Sequence, residues 1–444
     1  MIHPRERREG RDFYFGRSGA TVVKMDAGAV ALLLAAAFVF VNAAALSLVR
    51  TGEIHGRYFT APLIWLGLMA AAHLLLSWRL PQRDPLLLPL YALLTGWGLL
   101  LIDRLAANFL MRQVAWLVVT TLVLLAVATL AHRYLDWLRR YRYTWLLGGL
   151  LLLAITLLFG VNPSGFGAAL WLPIPLSGQV FFQPSELLKL LLIVFLASYF
   201  HERETLLRHS SQRGSRAAFP YLVPLLLMWG FCMVLLVWQQ DLGAATLFFI
   251  LFLSLLYLAT GRRGYVLAGL GLLLLASLFA YYTFAVVSLR VDIWLNPWPE
   301  ANNRAYQIVQ SLYALAAGGI WGTGIGQGYP TYIPVVHSDF AFAAIAEEWG
   351  LIGSLSVLIC FILLAYRGFR IAALTPRPFH TYLAAGITIM FSIQALLIMG
   401  GVTKLLPLTG VTLPFVSYGG SSLLMSGIMM GMLLLLSQKG ASSG

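Results

Sequence analysis

The chain has 444 residues, of which 60% are hydrophobic and 11% charged, with a mean hydropathy of +0.82. That composition leaves too little polar surface to solvate a soluble fold of this size, so the sequence is that of an integral membrane protein. The formal net charge of +13 does not point to nucleic acid, because the arginines cluster in short loops between apolar runs, as membrane topology alone requires.

In chain order, the first apolar run, 27–49, is longer than the hydrophobic region of a secretory signal and lacks a clear small-residue cleavage site. It reads as a retained membrane helix. Twelve segments of suitable length follow the same pattern: 27–49, 59–78, 85–102, 112–132, 144–161, 183–201, 219–238, 241–260, 264–286, 340–366, 381–402 and 412–437. Cys232 and Cys360 fall within apolar runs and read as small core residues. No repeat of fixed period and no inverted pair of broken helices is visible.

Orientation follows from the loops. Arg5, Arg7, Arg8, Arg11 and Lys24 put the N-terminus inside, and an even number of spans returns Lys439 to the same side. Alternate loops agree, with Arg79 and Arg83, then Arg133, Arg139, Arg140 and Arg142, then Arg203, Arg208, Arg213 and Arg216, then Arg262 and Arg263, then Arg367, Arg370 and Arg377. The opposite side receives the uncharged 162–182 segment, the long 287–339 segment and the short connection from Lys404 to Gly410. The expected fold is therefore an all-α polytopic membrane protein of about 12 spans, with both termini cytoplasmic.

Four constellations place polar groups where they are costly. In Gln183-Pro184-Ser185-Glu186-Leu187-Leu188-Lys189, proline suits the first helical turn, and Gln183 or Ser185 can satisfy free amides there. Glu186 and Lys189 are three apart and share one face, either as a self-contained ion pair or with the lysine turned to a cavity that receives an anion. In Trp238-Gln239-Gln240-Asp241-Leu242-Gly243, Asp241 reads first as a helix cap.

The long outer segment carries Arg290, Asp292 and Arg304, the glycines 318, 319, 322, 324, 326 and 328, and then His337-Ser338-Asp339 before an apolar helix. No strand precedes the glycines, so a dinucleotide site is rejected; their density suits a compact loop. For Asp339 the bland reading is a cap or first-turn carboxylate, with Ser338 competing for that position. Of Glu347 and Glu348, two turns deeper, at least one is expected to face the protein interior. The last constellation, from Lys404 through Pro407, Thr409, Pro414, Ser417, Gly419 and Gly420 to Ser421 and Ser422, breaks what hydropathy reads as the final span. No His/Cys cluster has zinc spacing.

These motifs, W-x-P-x(9)-Q-P-S-E-L-x-K at 171–189, Q-Q-D-L-G at 239–243, Q-S-L-Y-A-L-x-x-G-G at 310–319, I-P-x-x-H-S-D-F-x-F at 333–342 and L-P-F-V-S-Y-G-G-S-S at 413–422, resemble the shape, elongation, division and sporulation (SEDS) family of RodA- and FtsW-like proteins. The resemblance covers roughly 85–437. It implies a ten-helix core at 85–437 with the loop 287–339, two additional N-terminal helices within 27–84, and cytoplasmic tails at 1–26 and 438–444. It implies an inverting peptidoglycan glycosyltransferase that polymerises lipid II into an undecaprenyl-pyrophosphate-linked glycan at the outer face of the bacterial cytoplasmic membrane. A class B penicillin-binding protein is the implied partner, alongside membrane lipid.

Cell elongation is slightly favoured over division, since the shared motifs do not discriminate. A lipid II flippase and a scaffold for the partner synthase are the alternatives from other classes. Asp339 falls on the family's proposed catalytic aspartate. Glu186 and Lys189 are implied to line the same cavity, and Gln183, Ser185, Trp171, Arg290, Arg304, Lys404, Ser417 and Ser421 are the further substrate-binding candidates. A divalent cation, magnesium or manganese, is implied without evident ligands. The sequence departs from the family pattern in having no basic residue just before Trp171 and in carrying Ile398 and Lys404 where asparagine and glycine are usual.

Overall fold

Within hydrocarbon no backbone N–H or C=O can turn to water, so each apolar run closes its own hydrogen bonds as a helix. The computed structural model describes residues 27–163, 168–174, 180–213 and 215–438, with the backbone alone for 205–221. The chain forms α1 Ala27–Thr51, α2 Thr60–Arg79, α3 Leu87–Leu105, α4 Leu110–Ala128, α5 Arg133–Arg140 and α6 Arg142–Phe159. A two-residue hairpin follows, β1 Leu172–Pro173 against β2 Phe181–Phe182. Then come α7 Pro184–Arg213, α8 Ser215–Trp238, α9 Leu242–Thr260, α10 Arg263–Thr283, α11 Ala285–Leu295, α12 Tyr306–Gly318, α13 Ala341–Glu348, α14 Gly350–Leu374, α15 Pro378–Val402 and α16 Gly420–Leu436.

Among the described residues ten helices are long and apolar enough to cross a membrane, and α16 and the Leu222–Trp238 part of α8 are shorter apolar helices. The protein is a multi-pass membrane protein built almost wholly of helices, with the β1–β2 hairpin as the one sheet among the described residues. The expected tail at 1–26 and, from residue 439 on, the expected tail at 438–444 lie outside the described residues, as do the terminal charges Lys24 and Lys439.

Helices α3, α7 and α15 are buried on nearly every face, whereas α1, α2, α4, α6 and α10 bury one stripe or less. The interior helices carry the polar groups, such as Thr95, Lys189 and Gln394, that lipid would not tolerate. The pairings α1 with α3, α4 with α16, α6 and α15 with α7, and α14 with α15 wrap this interior.

Side-chain contacts sort the helix ends onto two faces. At one end Arg50 Nη2 donates to Arg104 O at 2.6 Å, Gln239 Nε2 to Leu153 O at 2.7 Å, and Gln183 N to Ser421 Oγ at 3.1 Å. At the other, Asp84 N donates to Ser437 Oγ at 3.0 Å and Arg367 meets Asp84 at 3.3 Å. Asp339 belongs to the first face, and Arg83, Arg367, Arg370 and Arg377 to the second. The first face is not free of cations, however: Arg50 and Arg104 bind carbonyls and a carboxylate there.

Two expected spans are corrected. The segment 340–366 is not one helix but α13 and α14, broken at Gly350 with φ +65°. The break is held open because the glycine-rich loop threads against it, with Thr323 N and Gly324 N donating to Glu347 O and Glu348 O at 2.9 and 3.0 Å. A Cβ on Gly322 would strike the Glu348 and Gly350 backbone, so the close approach made by these glycines is to the protein's own chain. The final helix starts at Gly420 instead of 412; residues 403–419 form an irregular segment on the Asp339 face.

Glu347 and Glu348 both face inward. Tyr329 N donates to Glu347 Oε1 at 2.6 Å, and Arg104 Nε to Glu348 Oε1 at 2.8 Å while its Nη2 reaches Gly328 O at 2.9 Å. The additional helix α1 braces the same junction, since Asn42 Oδ1 accepts from Trp349 Nε1 at 2.9 Å. The Glu348 side chain is fully buried and that of Arg104 is 11% exposed. Glu348→Ala strands this guanidinium and is expected to cost roughly 3–5 kcal/mol, seen as a lowered Tm in detergent; an unchanged Tm would remove the pair from the fold's supports.

Candidate active site

Asp339 lies two residues before α13 begins, and the N-cap position belongs to Phe340, whose side chain caps nothing. Neither Ser338 nor Asp339 serves as a helix cap. Instead Ser338 Oγ donates to Asp339 Oδ1 at 2.7 Å. The carboxylate's other oxygen faces Gly410, where a Cβ would lie 3.7 Å from Asp339 Oδ2 and 3.9 Å from Arg290 Nη2. Gly410 has φ +71°, a left-handed conformation that glycine adopts without strain, so it turns the chain here beside the carboxylate and the guanidinium. Burial pushes the Asp339 carboxyl above the ordinary carboxylate range, and the Ser338 hydroxyl and Arg290 partly offset it.

Arg290 comes from α11 and reaches across to the irregular segment, its Nη1 donating to Thr409 O at 3.5 Å. Burial pushes its proton affinity down, while the charges of Asp339 and then Asp241 pull it back up, so both carboxylates lie within electrostatic reach of the guanidinium. Asp241 caps α9, accepting from Ala244 N at 3.1 Å through Oδ1, as its sequence position suggests. Its Oδ2 is buried with no hydrogen-bond partner. Burial raises the Asp241 carboxyl, opposed by the Ala244 amide, Ser185 and Lys189. Two residues on, a Cβ on Gly243 would lie 2.5 Å from Thr409 O, so this glycine lets the irregular segment lie on the start of α9.

The Gln183–Lys189 constellation forms the floor. α7 begins at Pro184, and Glu186 and Lys189 share its inner face as their spacing predicts, Nζ to Oε1 2.7 Å, with side chains 8% and 3% exposed. Lys189 also donates to Gln394 Oε1 at 3.2 Å, and Gln394 Nε2 donates to Thr412 O at 2.8 Å. The lysine is thus spoken for within the protein and tethers the irregular segment through Gln394. Gln183 Nε2 donates to Ser185 Oγ at 3.1 Å, and Ser421 accepts from Gln183 N, fixing the start of α16 to the start of α7. Ser417 Oγ donates to Ser338 O at 2.6 Å and accepts from Leu413 N at 2.9 Å, and Tyr418 N donates to His337 O at 2.8 Å. His337 packs among Phe109 and Tyr418, with its proton affinity lowered by burial.

The described contacts thus join Asp339, Arg290, Asp241, Lys189, Glu186, Ser185, Gln183, Ser417 and Ser421. Three sequence candidates are not drawn in. Arg304 is exposed with no described contact to this cluster. Lys404 sends Nζ to Leu295 O at 3.4 Å and so meets the C-terminal end of α11. Trp171 pairs through its backbone with Val161 at the hairpin. Gln394 and Arg104 were not anticipated, although an amide inside an apolar helix and an arginine on the carbonyl-rich face are the signals that mark them. Among the described residues no three His, Cys, Asp or Glu side chains converge as a metal site.

A family model for FtsW, RodA and SpoVE, described as cell cycle protein, matches residues 87–441. The chain is 38% identical to the peptidoglycan glycosyltransferase RodA of Mycobacterium tuberculosis over 84% of this chain and 82% of that protein. It is 34% identical to a probable peptidoglycan glycosyltransferase FtsW of Geobacter metallireducens, over 74% and 85%. A solved chain from work on the structural coordination of polymerization and crosslinking by a peptidoglycan synthase complex superposes with a TM-score of 0.68 at 28% identity, over 82% of this chain and 99% of that one.

The buried pair invites a direct test. Glu186→Gln leaves the Lys189 ammonium without its carboxylate and is expected to destabilise by roughly 3–5 kcal/mol, whereas Glu186→Gln/Lys189→Met removes both charges and costs clearly less. Thermal unfolding in detergent reads the order, and a double variant no more stable than the single would refute the pairing.

Proposed function

The chain belongs to the FtsW, RodA and SpoVE family of cell cycle proteins, and we infer that it is a peptidoglycan glycosyltransferase embedded in the membrane by its many apolar helices. The substrate is lipid II, the reaction extends a glycan strand, and Asp339 is the base. The observation that carries this assignment is the Asp339 carboxylate itself, spent on no helix cap and set with Arg290 over Gly410.

A sugar hydroxyl is a poor nucleophile, and a positioned base contributes about 10²–10⁴-fold. Asp339 takes the proton of the acceptor hydroxyl, whose oxygen bonds to the anomeric carbon as the bond to the lipid pyrophosphate breaks, inverting that carbon. The electron pair of the broken bond leaves with the pyrophosphate, which needs no protonating acid. Burial strengthens Asp339 as a base by raising its proton affinity. Arg290, held by Thr409 O, supplies a fixed positive charge for the developing anion. Lys189 and Glu186 act as positioning residues that hold the 412 segment through Gln394.

The divalent cation, magnesium or manganese, is part of the same proposal. The buried, unpartnered Asp241 Oδ2 fits one protein ligand for it, with phosphate oxygens of the substrate supplying others, as magnesium sites commonly do. When bound it neutralises charge on the leaving group. The bias of arginines to the opposite face supports an extracytoplasmic active site on the bacterial cytoplasmic membrane. The likeness to a chain of a peptidoglycan synthase complex supports a class B penicillin-binding protein as partner, and the higher identity to a RodA than to an FtsW supports a role in elongation.

Asp339→Asn is expected to abolish glycan polymerisation from lipid II, a loss of at least about 10²-fold, while the variant still copurifies with the partner; products are resolved by size. Near wild-type polymer, or translocation of lipid II without polymer by the unaltered protein, would sink the reading. The active form is the Asp339 carboxylate, so activity falls as pH drops through its raised pKa. Arg290 favours that carboxylate, so Arg290→Gln raises the pKa further and moves the acid limb of the pH–rate profile to higher pH. A limb that stays put or moves down would separate the two residues.

A further inference from the structure

The face opposite Asp339 carries a cavity of about 940 Å³ that the reaction does not use. It lies where the start of α3, the ends of α14 and α16 and the start of α15 meet. Arg83, Arg367, Arg370 and Arg377 line it together with His132 and His380, and Asp84 is the one carboxylate among the lining residues. Asp84 is already engaged by Arg367 at 3.3 Å, and Asp136, beyond the lining, meets Arg377 at 3.7 Å. The cavity is therefore strongly cationic, and mutual repulsion among its arginines is relieved by an anion.

A second observation points the same way. His380 is 3% exposed and its Nε2 has no hydrogen-bond partner, an unusual state for a buried ring nitrogen on a cavity wall. α15 starts here with Pro378, which has no N–H, and with no side-chain cap from Arg377, so the amides of Phe379 and His380 are open as further donors. Several guanidinium forks beside free amides match the oxygens of a phosphate better than a single carboxylate. Ile371, Leu374 and Leu436 complete the wall with apolar side chains, which suits a ligand with an attached acyl chain. A basic pocket between membrane helices on the arginine-rich face is the setting in which lipid headgroups are bound.

We propose that this cavity is a second ligand site, separate from the Asp339 cluster, that binds a phosphate-bearing anion presented by a membrane lipid headgroup. Binding there ties α3, α14, α15 and α16 together at the end opposite the active site. The proposal rests on the cavity and not on the catalytic assignment.

The full chain, purified in detergent, is titrated with dioleoyl phosphatidylglycerol, dioleoyl phosphatidylcholine or inorganic phosphate, and bound adducts are counted by native mass spectrometry. Phosphatidylglycerol is expected to bind in preference to phosphatidylcholine. Arg370→Gln/Arg377→Gln is expected to weaken that binding at least about tenfold, from the loss of two charge-assisted contacts. Arg262→Gln/Arg263→Gln, on the same face but outside the cavity, leaves it unchanged. Arg370→Lys/Arg377→Lys keeps the charge and the fold and is expected to recover part of the affinity. Saturation by inorganic phosphate that is lost in the same cavity variant supports the site but assigns it to a soluble anion. Equal binding of the two lipids, or equal loss in the two glutamine variants, overturns the proposal.

Discussion

The hydroxyl of Ser417 donates to Ser338 O at 2.6 Å and accepts from Leu413 N at 2.9 Å, and through it two irregular stretches of backbone are locked together where the helices end. Backbone that leaves the helical state at membrane depth must find partners within the protein. Residues 333–340 and 403–419 supply them to each other, with Tyr418 N to His337 O as the neighbouring rung. Once they are docked, the carboxylate of Asp339 is fixed relative to Thr409 and Gly410, and Arg290 from α11 closes over both. The cluster depends on this docking because no single helix carries its parts.

Backbone conformation shows what the docking costs. Gln240, Val335, Lys404 and Phe415 are the described non-glycine residues with positive φ, and all four lie in loops on the Asp339 face. Such conformations are strained, above all for a β-branched valine or a bulky phenylalanine, and they persist where surrounding contacts over-determine them. Phe415 is anchored against Tyr91 and Phe391, at ring separations of 5.4 and 5.2 Å. Gly98 admits the same segment, since a Cβ there would lie 2.6 Å from Val416 O. The apolar interior of α3 and α15 thus holds a strained polar rim in place.

Charge is organised in the same economical way. Glu348 with Arg104 secures the glycine-rich loop, and Glu186 with Lys189 and Gln394 secures the 412 segment. Both pairs are buried and charge-matched, Glu348 through Oε1 alone, and they position neighbouring backbone. Asp339, Arg290 and the second oxygen of Asp241 are the charged groups near the rim that this internal pairing leaves available for other chemistry.

Periodicity and hydropathy mark the apolar runs long enough to cross a membrane, because lipid imposes one length and one backbone solution on every span. They also mark Asp339, Glu186 and Lys189, since charges at such depths are costly and stand out against leucine. The side-by-side placement of Glu186 and Lys189 is legible too, because helical geometry fixes what three residues of separation means. The break at Gly350 and the late start of α16 are not legible: an apolar residue scores alike whether it faces lipid, a helix or an irregular segment. Nor can spacing reveal that Gln394 reaches Lys189, that Gly243 makes room for Thr409 where Gly410 turns the chain, or that Arg290 feels the charges of both Asp339 and Asp241. Those relations join residues distant in sequence, and packing between helices alone decides them.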